Sequence, residues 1–445
     1  MTTRGQIWLI FNRLVAFGSS DFTDVASNLQ ISEHKKILRT MVYGWRIDAA
    51  CMLFVTVSWS LGIFGMGVYI YALTSFQGFS VTTVSTAVTA AYILSALLSV
   101  SVGKTIAKNG PRLVVTVGAV AMATAVLLMP YCTEKWHVIG IFLVLGLGMA
   151  CLSTNTVGST LAPWFERFQG RAMSTSMLGA SIAGMIGTPL LMSGIKVWGF
   201  QTTFMIAAIA TVTLVLPLAG FVLKRRPQDI GLLPDGMESQ KDGQTSVSIQ
   251  WSLQQAAATW QFKTVVVAFG LGLLVQVGFL SHHVPIAIPV LGVEGAATVV
   301  FAGGVASLIG RLLLARYADH LDVRLVGTAV LLIAAISLLG LAMLPLTWAF
   351  VLFSITYGLT CGNVTTLSPI IVRREFGAAS FGVIYGFAAT FIQLTMAFGP
   401  TIYGVVRDVF GGYVPVLLLC AVLNLVAASA AFWGGRRPLV HQKAQ

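Results

Sequence analysis

The residues able to do chemistry in this chain are few, and most lie inside long apolar stretches, where a polar group is costly. Arg311 stands out. It falls eight residues before Asp319 in an otherwise apolar run, about 12 Å deeper along a helix that rises 1.5 Å per residue. An ionised group in hydrocarbon costs about 2.5–3.5 kcal/mol or more, and such groups usually have a task. A guanidinium presents a planar fork of donors that fits a carboxylate. The competing reading is an arginine that snorkels toward water. His282 and His283 sit late in another apolar run, just before Pro285. Successive helical residues point about 100° apart, so only one of the two can face a given cavity squarely. Imidazole titrates near neutral pH, which makes both residues candidates for a proton relay and His282 a candidate anion contact. Equally, the pair fits the outer headgroup level. Asn155, Gln276, Asn363 and Gln393 fall in mid-stretch; amides there either hold helices together or line a polar cavity. Tyr69, Tyr357 and Tyr385 are candidate walls of that cavity, with core packing as the default.

Other chemistries lack their residues. There is no GxxxxGK[ST] run to cradle a nucleotide, no HExxH, and no Cys/His cluster with metal-ligand spacing. The five cysteines (Cys51, Cys132, Cys151, Cys361, Cys420) are scattered and read as small core hydrophobes. No catalytic set, metal site or cofactor is expected, and an enzyme is not indicated. Composition agrees. Of 445 residues, 56% are apolar and 9% charged, against roughly 25% charged in soluble domains.

The elements that must position the polar residues are membrane helices. A span needs about 20 mostly apolar residues, and twelve stretches qualify: 48–73, 81–103, 112–132, 138–162, 172–195, 202–223, 262–285, 296–317, 324–345, 347–371, 379–405 and 413–434. The reading is an all-α membrane protein with a tail (1–45), a six-helix bundle (46–223), a polar central loop (224–261), a second six-helix bundle (262–435) and a short tail (436–445). The first tail reads as loose chain or as a helix resting on anionic lipid. With both termini cytoplasmic, only Lys135, Lys196 and Arg407 of the 27 Lys+Arg fall outside. That is a strong positive-inside pattern. It accounts for the net charge of +12 without a nucleic-acid partner, and leaves membrane lipids as the basic residues' surroundings.

The halves echo one another. The run Gly103 to Arg112 aligns with Ala315 to Arg324, so that Ala107 meets Asp319, 212 residues on; Gly187-Thr188-Pro189 matches Gly399-Pro400 at an offset of 211. Copies with an even number of spans share one orientation, an arrangement that places a substrate site near the midplane between them.

A small residue, an acid, a basic residue and a trailing arginine after spans two and eight resemble the signature loop of the major facilitator superfamily, although Ala107 replaces the acid in the first copy. A narrower resemblance, to the monocarboxylate-porter branch and bacterial oxalate:formate antiporter-like relatives, is carried by Trp164-Phe165, Arg167, Gly170-Arg171-Ala172-Met173, Gly179 and Gly184. Arg226-Pro227 through Pro234-Asp235-Gly236 and Phe381-Gly382 through Gly411-Gly412-Tyr413 extend it. The resemblance implies twelve helices in two pseudo-repeats and a transporter of a small organic anion, a mono- or dicarboxylate, working as a monomer in a bacterial cytoplasmic membrane. It implies that Arg311 binds the carboxylate. It also makes Asp319 a conformational latch with Arg316, Arg324 and Arg112. The branch's proton-linked porters carry a lysine in span one; here Gly65 falls at that place. Proton symport through His282 or His283, anion exchange and facilitated diffusion all stay open. Efflux of apolar or cationic compounds would favour a mid-membrane acid, and the spans offer none beyond Asp48 at the edge of span one.

Overall fold

The computed structural model describes residues 25–165, 168–223, 251–317, 321–344 and 346–435. All regular structure among them is helical. The helices are α1 (Val25–Gly62), α2 (Gly65–Gln77), α3 (Val81–Asn109), α4 (Pro111–Leu128), α5 (Lys135–Cys151), α6 (Thr154–Leu161), α7 (Gln169–Phe221), α8 (Leu253–Ala258), α9 (Trp260–Tyr317), α10 (Val323–Met343), α11 (Thr347–Ala397), α12 (Gly399–Phe410) and α13 (Val414–Gly434). Ten segments among the described residues are long and apolar enough to cross a membrane.

Two of those ten, of 51 and 55 residues, would each reach well over 70 Å if straight, against a hydrocarbon core of about 30 Å. Each breaks at one glycine: Gly199 in α7 (φ 80°) and Gly292 in α9 (φ 70°). A side chain is disfavoured at such φ, so glycine lets the chain reverse without a loop. Divided there, the ten segments become twelve of membrane length, six on each side of the central linker. Gly199 and Gly411, the turns before the last span of each half, are 212 residues apart, the spacing already found in the sequence repeat.

The duplicated Gly-Pro segments do matching work. In the first half, Thr188 Oγ1 donates to the Phe64 carbonyl (2.8 Å) where span one breaks between α1 and α2. In the second, the Pro400 carbonyl lies 3.2 Å from His282 Nε2 in span seven. Each repeat thus ties its fifth span to its first.

Three differences from the sequence reading concern boundaries. Helix α1 begins by Val25, so part of the expected tail is helical and continuous with span one. Part of the expected loop 224–261 forms α8, which docks on the second half: the Trp251 amide donates to Ser380 Oγ (2.9 Å) and the Trp251 ring meets Phe376 edge-on. The seventh span runs past Pro285 and Pro289 to Gly292. Its histidines are therefore nine and ten residues from the turn, roughly 14 Å below it, and not at headgroup level.

Arg112 Nε donates to the Leu223 carbonyl (2.5 Å) and Tyr43 Oη to that of Val222 (2.9 Å). The starts of spans one and three and the end of span six therefore share a face with the linker. The opposite face carries the turns at Gly78, Gly199, Gly292 and Gly411.

Candidate functional site

On the face opposite the linker the halves are sealed. Asp408 Oδ2 accepts from the Thr82 amide (2.8 Å) and hydroxyl (2.6 Å) in the first turn of α3. Thr401 Oγ1 bonds Thr89 Oγ1 (2.7 Å), and Lys196 pairs with Glu294 between exposed turns. His282 completes the seam. Its Nε2 lies 3.1 Å from Ser85 Oγ and 3.2 Å from the Pro400 carbonyl, and its Nδ1 lies 3.1 Å from Tyr413 Oη. A neutral ring with the proton on Nε2 satisfies this set, because the carbonyl can only accept and the tyrosine hydroxyl can donate. His283 turns into the second half, with Nε2 at 3.3 Å from Ser354 Oγ and its ring on Phe279. Removing the Asp408 carboxylate charge weakens the cap on α3. Asp408→Asn is expected to raise the rate at which a cysteine introduced at Thr89 is alkylated by an impermeant maleimide; an unchanged rate would show that the seam does not depend on this contact.

Toward the linker, spans five and eight face each other across the boundary between the halves. Spans five and eight touch backbone to backbone at Gly184 and Gly304, where a Cβ on Gly304 would lie 2.6 Å from the Gly184 carbonyl carbon. Seven residues nearer the linker on each helix, the gap takes a whole arginine. Arg311 Nη1 reaches the Met177 carbonyl across it at 3.4 Å. This is the one hydrogen bond between the halves on the linker side among the described residues. Arg311 is half-buried, and its Nε has no partner. The Asn363 Oδ1 is also unpartnered, its amide nitrogen being spent on the Leu359 carbonyl (3.1 Å). Asn363 belongs to the same helix contact, since Gly310 abuts its Nδ2. A buried guanidinium nitrogen and a buried amide oxygen, both without partners, thus lie close together where span eight faces spans five and ten. Buried polar groups seldom go unsatisfied, and the pair fits a ligand carrying an anionic group with a donor beside it.

Gly362 sets the arginine's course. A Cβ there would stand 2.5 Å from Arg311 Nε and 2.9 Å from its Cδ. Gly362→Ala is expected to displace the guanidinium, raising KM at least tenfold with little change in melting temperature. An unaltered KM would separate Gly362 from the site.

The remaining expected residues are dispersed. Asn155 is exposed on α6 beside Thr154, whose hydroxyl contacts Met177 Sδ (3.8 Å). Gln276 is buried with Oε1 unpartnered. Gln393 is half-buried on α11; Tyr385, also half-buried, stacks on Phe381. Tyr357 packs on Phe279 within the second half. Tyr69 is enclosed by Phe142 and Phe204, and its hydroxyl stands 2.9 Å from where a side chain on Gly65 would begin. The ring therefore fills the space in which the branch's span-one lysine would start.

Of the expected latch, Asp319 lies outside the described residues. Arg316 is exposed at the end of α9. Arg324 is engaged within its own half: Nε and Nη2 bind Glu375 (2.5 and 2.9 Å), while further donors reach the Gln261 and Ala431 carbonyls and Thr264 Oγ1. Glu375 had no signal in the sequence beyond being an acid at a span end. Arg112, the counterpart of Arg324, meets the end of α7 instead.

The fold is that of a transporter built from two six-helix halves. The chain belongs to the Major Facilitator Superfamily, whose sequence profile matches residues 49–400. It is 22% identical over 347 residues to the uncharacterized MFS-type transporter YcxA of Bacillus subtilis (76% of this chain, 82% of that protein). It is 25% identical to the agnestins efflux protein AgnL12 of Paecilomyces divaricatus, over 72% of this chain and 70% of that one. A shorter match, 31% identical over 146 residues, covers 32% of this chain and 28% of monocarboxylate transporter 10 of Homo sapiens. Among solved structures, a bacterial homolog of the human lysosomal transporter Spinster, inward-facing and unoccupied, superposes with TM-score 0.66 at 13% identity, covering 88% of this chain and 97% of that one.

Proposed function

We propose that this superfamily member carries a small organic anion, a mono- or dicarboxylate, by alternating access, with uptake linked to protons. The observation that supports this most is Arg311, a cation with an unpartnered donor that bridges the two halves. Arg324, a buried arginine of the same half, is already paired with Glu375, so one unpaired cation favours one carboxylate. Positive-inside charge supports a linker and termini on the cytoplasmic side of a bacterial inner membrane, with the sealed face outside. The protein acts as a monomer. Asp319, at the linker end of span eight, serves with Arg316 as a latch for the cytoplasmic face in the opposite state.

Purified protein in liposomes should take up at least one of radiolabelled acetate, lactate, benzoate, oxalate or succinate, and an inward proton gradient should raise its accumulation. Uptake stimulated by internal substrate but indifferent to the gradient would identify an oxalate:formate-type exchanger. The likeness to an efflux protein favours a second reading, export of apolar compounds; transport of ethidium with no carboxylate uptake would establish that instead.

A further inference from the structure

Asp48 was the one acid near span one, and its surroundings are unlike those of a surface carboxylate. It is 1% exposed. Its Oδ1 accepts from Ser176 Oγ at 2.6 Å, and among the described residues no cation comes within ion-pair distance. A carboxylate kept from water with one neutral donor holds its charge at high cost. Taking up a proton removes that cost.

Its position gives the proton a use. Ser176 is followed in α7 by Met177, whose carbonyl is the group that Arg311 touches. The buried acid of the first half and the free cation of the second therefore grip consecutive residues of one helix. We propose that Asp48 is the binding site for the proton that travels with the anion held at Arg311, and that Ser176 and Met177 connect the two. This rests on the carboxylate reading above. The balance is simple. A proton from water adds to a carboxylate oxygen of Asp48, giving a neutral carboxyl, while the anion neutralises Arg311. The loaded site has then gained no net charge, and it releases both species when the other face opens.

The groups around Asp48 leave it this role. On its own helix Arg46 is exposed, Cys51 is a buried thiol, and Tyr43 is bonded to the Val222 carbonyl. On α7 the Arg171 guanidinium lies over the Trp45 ring, 5.5 Å from its centroid. On α4 Arg112 is spent on Leu223. Tyr69 and Tyr71 are the titratable groups of α2, and α6 carries none. Of those of α5, Lys135 and His137 lie in its first turn at the opposite face, and Cys151 at its other end is a buried thiol. Glu166 and Arg167 fall outside the described residues. Both histidines already have partners and sit beyond the Gly184–Gly304 contact from Arg311.

Two measurements on the whole protein in liposomes test this. Infrared titration should show a protonated-carboxyl band in the parent that Asp48→Asn removes and Asp48→Glu restores at a shifted frequency. Radiolabelled lactate and benzoate should accumulate up to about tenfold per pH unit for one proton per anion. Asp48→Asn should cancel that accumulation yet retain counterflow, which also shows that the variant is folded. Ser176→Ala removes a donor to the charged form, so its uptake profile should move to higher pH. Gradient-driven accumulation surviving in Asp48→Asn would overturn the assignment while leaving carboxylate transport standing. A titrating band lost with Asp48, in a protein that carries no carboxylate, would sustain the proton site and reject the anion. A band that persists in Asp48→Asn would overturn the site itself.

Discussion

Arg311→Ala is expected to abolish carboxylate uptake in liposomes while the protein stays folded. The side chain makes one long hydrogen bond, to Met177, and leaves Nε open, so little of the bundle depends on it. Arg311→Lys keeps the charge and loses the fork. A hydrogen bond to a charged group contributes about 1.5–3 kcal/mol, so the lysine variant should bind roughly ten- to a hundredfold more weakly. The readings are initial uptake rates and substrate-induced shifts in melting temperature. Undiminished uptake by a well-folded Arg311→Ala protein would remove the arginine from the site.

The second large effect is on stability. Arg324 joins the starts of α9 and α10 to α11 just before its break at Gly377 and to the end of α13, and it is 5% exposed. Glu375→Gln strips the counter-charge and leaves a buried cation with neutral partners. Breaking such a pair costs about 3–5 kcal/mol, which should appear as a clear drop in melting temperature in detergent. Removing both charges, in Arg324→Met with Glu375→Leu, should restore most of the loss, because the desolvation cost goes with them. Arg112→Ala, which loses one contact to a helix end, should cost less. Equal drops in the two halves would contradict the asymmetry.

The membrane helices were legible in the sequence because hydrocarbon tolerates so few alternatives: long apolar runs, a duplicated Gly-Pro segment and one-sided charge suffice. Legibility failed where a residue's meaning depends on a distant partner. Arg324 read as part of a latch, since its neighbours in the chain are Asp319 and Arg316, whereas its ion partner lies 51 residues away at the end of span ten, two residues before the Gly377 break in α11. The headgroup-level alternative for the histidines came from a span ending at Pro285; in a bundle the neighbouring spans satisfy what the proline frees, and the helix continues. Asp48 read as an edge residue by counting along span one. Its burial comes from α7 folding over it, and no local pattern announces that. Arg311 could be singled out as a cation too deep in an apolar run, but the gap that it crosses could not.

The contact between Gly184 and Gly304 also behaves as a fulcrum. Arg311 is seven residues from it and the end of α9 thirteen, about 10 Å and 20 Å along the helix. A rigid half that tilts about that point moves its rim twice as far as its arginine. On the proposed reading, the mouth would swing wide while the anion site at Arg311 shifts little. With two bare backbones as the bearing surface, any side chain added there would change how far the jaw opens before it changed what the jaw can hold.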